Sequence, residues 1–174
     1  MDLLNIMLHR RSVRNYTEES VKEEDLKQIL QAGLLSPTGR NKKPWEFIVV
    51  QKKDVLEKMA SSRVAGAGML AGAAAAIVVL GDEEKTDVWT EDCSIAMSNM
   101  HLMAASLGVG SCWIQGRLRA ASEEVTTEDY LRDLLGFPKN LRLEAILSLG
   151  MPEKNVNPHS LEEVEEVKIH WEKY

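Results

Sequence analysis

At 174 residues, with 44% hydrophobic and 28% charged side chains, the chain is long enough to bury one sizeable core and has the balance of an ordinary globular protein. A formal net charge of −6 argues against nucleic acid or an anionic membrane as the main partner. Cys93 and Cys112 form neither a disulfide framework nor a metal-ligand spacing, and read as buried thiols of a reducing, cytoplasmic compartment.

Asp2 to His9 is expected to be a short helix, apolar at Leu3, Leu4, Ile6, Met7 and Leu8, with Asp2 where negative charge favours a helix N-terminus. No apolar stretch of a secretory leader follows Asp2. Arg10-Arg11-Ser12-Val13-Arg14 comes next. The residues alone favour cations complementing a helix end, with a phosphate site as the alternative, since arginine bonds phosphate bidentately and Ser12 adds a hydroxyl. Val21 to Leu35 reads as an amphipathic helix with Leu26, Ile29, Leu30 and Leu34 on one face, capped by Ser20 with Glu23 as in a capping box.

Trp45 to Gln51 is a strand, Asp54 to Ala60 a helix and Ala74 to Leu80 a second strand. Val64 to Gly81 carries no charge, yet its seven alanines and four glycines give weak transfer energy, so it reads as a small-residue turn feeding a buried strand rather than a membrane span. Thr90 to Leu107 is the longest helix, apolar nearly all round, with Gly108 as its terminating glycine. His101 within it reads as a satisfied core or interface residue. Gly110 to Gln115 is a third strand, Glu123 to Leu135 a helix closed by Gly136 and Pro138, and Leu143 to Leu149 a fourth strand. The tail alternates apolar and polar residues from Val167 to Tyr174, like an edge strand. The order gives an α+β fold in one domain, residues 1–174, with a central sheet flanked by helices around one long buried helix. A tail carrying Trp171 and Tyr174 is expected to act as an arm, residues 153–174, packing on another subunit.

Protein-based catalysis has no signature. There is no G-x-S-x-G, P-loop, H-E-x-x-H or G-x-G-x-x-G, and the four histidines make no metal pattern. Such a chain is either not an enzyme or borrows its chemistry from a cofactor.

The stretch Ser36-Pro37-Thr38-Gly39-Arg40-Asn41-Lys42-Lys43-Pro44-Trp45 is a turn-rich loop emptying into a β-branched strand. Its prolines stop helix, Gly39 is free to take positive φ, and Asn41 tolerates it. The loop resembles the SPSGxNxQPW element of the FMN-dependent nitroreductase family. Arg10-Arg11-Ser12-Val13-Arg14-Asn15-Tyr16 is similar to that family's RRSxRxF opening, and Leu107-Gly108-Val109-Gly110-Ser111-Cys112-Trp113-Ile114 resembles LGLGscWI. Gly136-Phe137-Pro138, followed by a strand ending Gly150-Met151-Pro152, is a fourth match, so the likeness covers nearly the whole chain.

The resemblance implies a homodimer with FMN at the subunit interface. Arg10, Arg11, Ser12 and Arg14 are then expected near the phosphate and ribityl chain, with Pro37, Thr38 and Asn41 reaching the flavin from the partner. Gln115 and Gly116 are expected beside flavin N5 and the carbonyls, with a Gly116 N–H aimed at N5. Lys43 stands where the family usually has Gln, and the arginine common after G-x-P is missing, leaving Lys154 and His159. The implied activity is ping-pong hydride transfer from NADH or NADPH through flavin N5 to a nitroaromatic or quinone. The alternatives are a flavin-binding redox sensor without turnover, or other flavin chemistry such as reductive dehalogenation.

Overall fold

The computed structural model describes residues 2–154 and 156–174. Four strands form one sheet in the order β1-β2-β4-β3: β1 (Trp45–Val50), β2 (Ala75–Asp82), β3 (Gly110–Gln115) and β4 (Leu141–Gly150). All their pairings are antiparallel. Helices α1 (Leu3–His9), α2 (Glu23–Leu34), α3 (Lys53–Ala60), α4 (Trp89–Ser106) and α5 (Thr127–Leu135) complete the α+β fold expected from the sequence.

β2 is buried along its whole length, and its alternation feeds two cores. Ala75, Ile77 and Val79 pack with Ile29 of α2 and Ala96, Met97 and Met100 of α4. Ala76, Val78 and Leu80 pack with Leu56 and Met59 of α3 and Leu131 of α5. Each fully buried Val, Ile or Leu of β2 contributes about 1.5–3 kcal/mol. The 18-residue α4 is the long buried helix, and Gly108 follows it in the left-handed region at φ 75°. The small-residue run before β2 forms a 3-10 turn, Gly68–Gly72. No helix among the described residues is long and apolar enough to cross a membrane.

Three expectations need correction. The helix α2 starts at Glu23, and its N-cap is Lys22, which makes no side-chain cap bond; Ser20 does not cap it. Val21 is instead drawn into the core beside Leu26, an apolar staple across the helix start. Helix α5 begins at Thr127, because Thr126 caps it by accepting from the Asp129 N–H at 3.0 Å. Residues Val167 to Tyr174 form no strand: Val167 and Lys168 belong to a 3-10 turn, Glu166–Lys168, and the whole stretch is exposed. A lone segment with no neighbouring strand has nothing to complete its ladder.

The N-terminal segment after α1 covers the edge of β3. Ser12 bridges Ser111 in parallel, and the Val13 N–H donates to the Ser111 carbonyl at 2.9 Å. Further on, Tyr16 bridges Pro152, and the Tyr16 hydroxyl bonds the Val13 carbonyl and Ser148 Oγ, both at 2.7 Å. Burial pushes the Tyr16 phenol well above its ordinary range, so it stays protonated.

Candidate functional site

Helix α4 holds both stretches singled out in the sequence. Near its start, the buried Asp92 accepts from Thr38 Oγ1 at 2.7 Å and from the Gly39 N–H at 2.8 Å. Two turns on, Asn99 Nδ2 donates to Ser36 Oγ at 2.8 Å. These bonds hold a loop in which Arg40, Asn41 and Lys43 have φ of 53°, 56° and 47°. Left-handed backbone costs a non-glycine residue about 1–2 kcal/mol. Gly39 does not take positive φ; its side chain is excluded because a Cβ would lie 2.8 Å from Val88 Cγ2. Thr38 Oγ1 also accepts from the Lys43 N–H at 3.0 Å, so the hydroxyl gives its proton to Asp92 of α4 and takes one within the loop. Pro37, Asn41 and Lys43 are exposed.

Further along α4, His101 meets the basic segment. Arg10 Nη1 lies 3.0 Å from His101 Nε2, and His101 Nδ1 is in hydrogen-bond contact with Ser111 Oγ. Burial and then the Arg10 charge lower the His101 pKa to about 4, so the ring is neutral, as a satisfied buried histidine should be. Arg11 donates to the Asn157 carbonyl, and Arg14 is exposed. Ion pairs of the described residues use Arg40, Arg132 and Arg142, but none of Arg10, Arg11 and Arg14.

Three contiguous cavities lie along this segment. One of about 420 Å³ is lined by Arg11, Gly110, Ser111 and Lys154. A second of about 290 Å³ is lined by Ser12, Arg14, Asn15, Glu153 and Lys154. A third of about 560 Å³ joins Arg14 and Asn15 to Gly68, Met69 and Glu153. Among the residues lining these cavities the cations Arg11, Arg14 and Lys154 outnumber the one carboxylate, Glu153, in a chain whose formal charge is −6. This cationic surplus around hollow space suits a phosphate-bearing ligand. Lys154 was left out of the residues expected at the site; its place two residues after Pro152, beside the Tyr16–Pro152 bridge, is what brings it there.

The other expected residues lie at the opposite end of β3. Gln115 accepts from Trp113 Nε1 at 2.9 Å and donates to the Arg117 carbonyl at 3.2 Å. The Gly116 N–H is not free for a ligand: it donates to the Glu144 carbonyl at 3.2 Å, which also takes the Arg117 N–H at 2.9 Å. Gly116 is required instead by packing, since a Cβ there would sit 2.5 Å from Leu143 Cδ2. Glu144 lies where the β2–β4 register shifts, between the pairs Val79–Ala145 and Leu80–Leu143. Its buried carboxyl accepts from Ser94 Oγ at 3.0 Å through one oxygen, while the other has no protein partner among the described residues. Burial raises its pKa.

Within one chain the two stretches do not meet. Asp92 and His101 are nine residues apart on α4, about 14 Å of helix rise. Among the described residues no cluster of His, Cys, Asp and Glu is arranged to hold a metal ion. Burial raises the pKa of both thiols, that of Cys93 to about 12, so neither is an activated nucleophile.

Residues 7–65 and 60–151 match the family model described as the nitroreductase family. An Archaeoglobus fulgidus protein whose provisional name is NADH dehydrogenase/NAD(P)H nitroreductase is 38% identical over 160 residues, 87% of this chain and 86% of that protein. Among solved structures, an FMN-dependent nitroreductase from Clostridium difficile R20291 superposes with a TM-score of 0.96 at 37% identity, covering 98% of this chain and 99% of its own. A provisionally named nitroreductase from Desulfovibrio desulfuricans, solved in complex with FMN, gives a TM-score of 0.74 at 28% identity over 94% of each chain.

Proposed function

The chain belongs to the nitroreductase family, and from that premise we propose that it is an FMN-dependent oxidoreductase drawing on NADH or NADPH. The observation that carries this reading is the set of cations that form no ion pair among the described residues, Arg11 and Arg14 with Lys154 beside them, around cavities next to β3. Arg10, Arg11, Ser12, Arg14 and Lys154 would bind the phosphate and ribityl chain, and Gln115 and Gly116 would border the ring system. FMN held there would supply the redox chemistry, hydride transfer from the nicotinamide through N5 to a flat acceptor such as a nitroaromatic or quinone by a ping-pong course. The protein then needs only to bind, orient and shield.

The purified protein should be yellow, release FMN rather than FAD on denaturation, and bleach when NADH or NADPH is added without oxygen. Recovery of FAD, or no flavin after reconstitution, refutes the reading. A yellow protein that does not turn over NAD(P)H with a quinone would be a flavin-binding module instead.

The site is proposed to be shared by two copies, with Pro37, Thr38 and Asn41 supplied by the partner. Support comes from the separation along α4 and from surface that a single chain leaves open. Trp171 and Tyr174 of the arm are 83% and 105% exposed, and an apolar cleft of about 270 Å³ lined by Leu3, Ile6, Leu35 and Leu102 lies between α1, α2 and α4. Arg14→Ala and Asn41→Ala homodimers should each be impaired. A purified mixed dimer of the two has one intact site and should recover about half the wild-type turnover by site counting. A verified mixed dimer no more active than its parents overturns the shared site.

A further inference from the structure

We propose that His101 is a positioning residue for flavin binding: it holds Arg10 from the protein side, so that the remaining guanidinium donors are presented to the phosphate. The inference rests on FMN binding at the Arg10–Arg14 segment and extends it to a buried residue of α4 that the reaction does not touch.

The geometry fixes the roles of each atom. Arginine can only donate, so the 3.0 Å contact between Arg10 Nη1 and His101 Nε2 makes Nε2 the acceptor. The ring proton then sits on Nδ1, which donates to Ser111 Oγ. Ser111 in turn holds the basic segment by its backbone, through the Ser12 bridge and the Val13 N–H. His101 therefore ties one side chain, Arg10, to the β3 residue that carries the backbone of the same segment.

An alternative buried acceptor, a carboxylate, would neutralise Arg10 and weaken its attraction for a phosphate. A neutral imidazole orients the guanidinium while leaving its full charge. No carboxylate among the described residues forms an ion pair with Arg10. The low pKa of His101, caused first by burial and then by Arg10, keeps the imidazole in the form this arrangement needs. Only the phosphate end of the ligand should depend on it.

The test measures FMN and riboflavin affinity of flavin-stripped protein, because riboflavin lacks the phosphate. His101→Leu should weaken FMN about tenfold, the scale of one charge-assisted hydrogen bond, and leave riboflavin within about twofold. His101→Gln, which can accept from Arg10 and donate to Ser111, should restore FMN binding to within about threefold. In an Arg10→Ala background His101→Leu should add nothing further. If His101→Leu fails to fold, Ser111→Ala removes the group that orients the ring and should still cause a smaller, FMN-selective loss. Equal loss of FMN and riboflavin would mean His101 only supports the fold and overturns the inference. So would normal FMN affinity in His101→Leu while Arg10→Ala is impaired. If Arg10→Ala binds FMN normally, the Arg10 reading fails first, a distinct outcome.

Discussion

The two stretches joined to α4 are held by opposite means. The loop from Ser36 to Lys43 turns its side chains and backbone inward onto α4: Thr38 and Gly39 to Asp92, Ser36 to Asn99. In exchange it tolerates left-handed backbone at Arg40, Asn41 and Lys43. The segment from Arg11 to Arg14 is held by its backbone along β3, and none of its residues has positive φ. Just before it, Arg10 turns its side chain to α4. A stretch anchored through side chains stores strain and should lose shape when an anchor is cut. One anchored through its backbone leaves side chains free for a ligand, and cutting them should change binding but not stability.

The largest expected effect is therefore at Asp92, which the family-like motif does not include. Asp92→Ala removes a buried acceptor of two hydrogen bonds and leaves the Gly39 N–H without its partner. Bonds to a charged acceptor contribute about 1.5–3 kcal/mol each, so the variant should lose roughly 3–5 kcal/mol in urea unfolding. A loss below about 1 kcal/mol would mean the loop holds its own shape, and the contrast fails.

Next in size is the response of the other stretch to pH. The pKa of His101 is lowered to about 4 from 6.5, chiefly by burial, so between these values the unfolded chain takes a proton that the folded one refuses. Stability from this group is present above about pH 6.5 and falls as pH drops toward 4, by on the order of 3 kcal/mol. His101→Gln should remove that slope. The measured quantity is the difference between variant and wild type, because carboxylates titrate in the same range. Parallel curves would show that His101 is not buried neutral against Arg10.

A smaller effect tests the backbone-held side directly. Arg14 is exposed and forms no ion pair among the described residues. Arg14→Ala should weaken FMN ten- to a hundredfold, about 1.5–3 kcal/mol, while the apoprotein unfolds within about 0.5 kcal/mol of wild type. Loss of stability with no loss of FMN would reverse the assignment.

The sequence was informative where local rules decide and silent where tertiary partners do. The strands at Trp45–Val50 and Gly110–Gln115 were legible as short apolar runs, and α4 as a long one. Ser20 looked like a cap, but burial of Val21 moved the helix start, a packing effect that no local rule carries. Gly39 looked like a backbone hinge, yet what excludes a side chain is Val88, almost fifty residues away in sequence. Asp92 and Glu144 lie inside the helix and the strand expected at Thr90 to Leu107 and Leu143 to Leu149, with nothing local to mark them. Their roles depend on what lies opposite: Thr38 for one, and Ser94, Gly116 and Arg117 for the other. Lys154 was legible as a cation after Gly150-Met151-Pro152, but only the Tyr16–Pro152 bridge puts it beside Arg14.

The smallest expected effect sharpens the comparison within the strained loop, at Lys43, where the family motif has glutamine. Its backbone is fixed by the bond from its N–H to Thr38 Oγ1 and by a φ of 47°, while its side chain is exposed and absent from the ion pairs of the described residues. The ammonium group is thus a fixed-origin, mobile-tip charge proposed to lie near the pyrimidine end of the partner's flavin. Such a charge would favour the anionic reduced form. Solvent and salt weaken it to about 0.5–1 kcal/mol. For a two-electron couple that corresponds to roughly 10–20 mV, so Lys43→Gln should lower the midpoint potential by that amount at low salt and by less as ionic strength rises. Because the backbone anchor is retained, unfolding of the variant should match wild type, unlike Asp92→Ala. An unchanged potential at low salt would place the Lys43 charge away from the flavin and leave the residue with only its role in the loop.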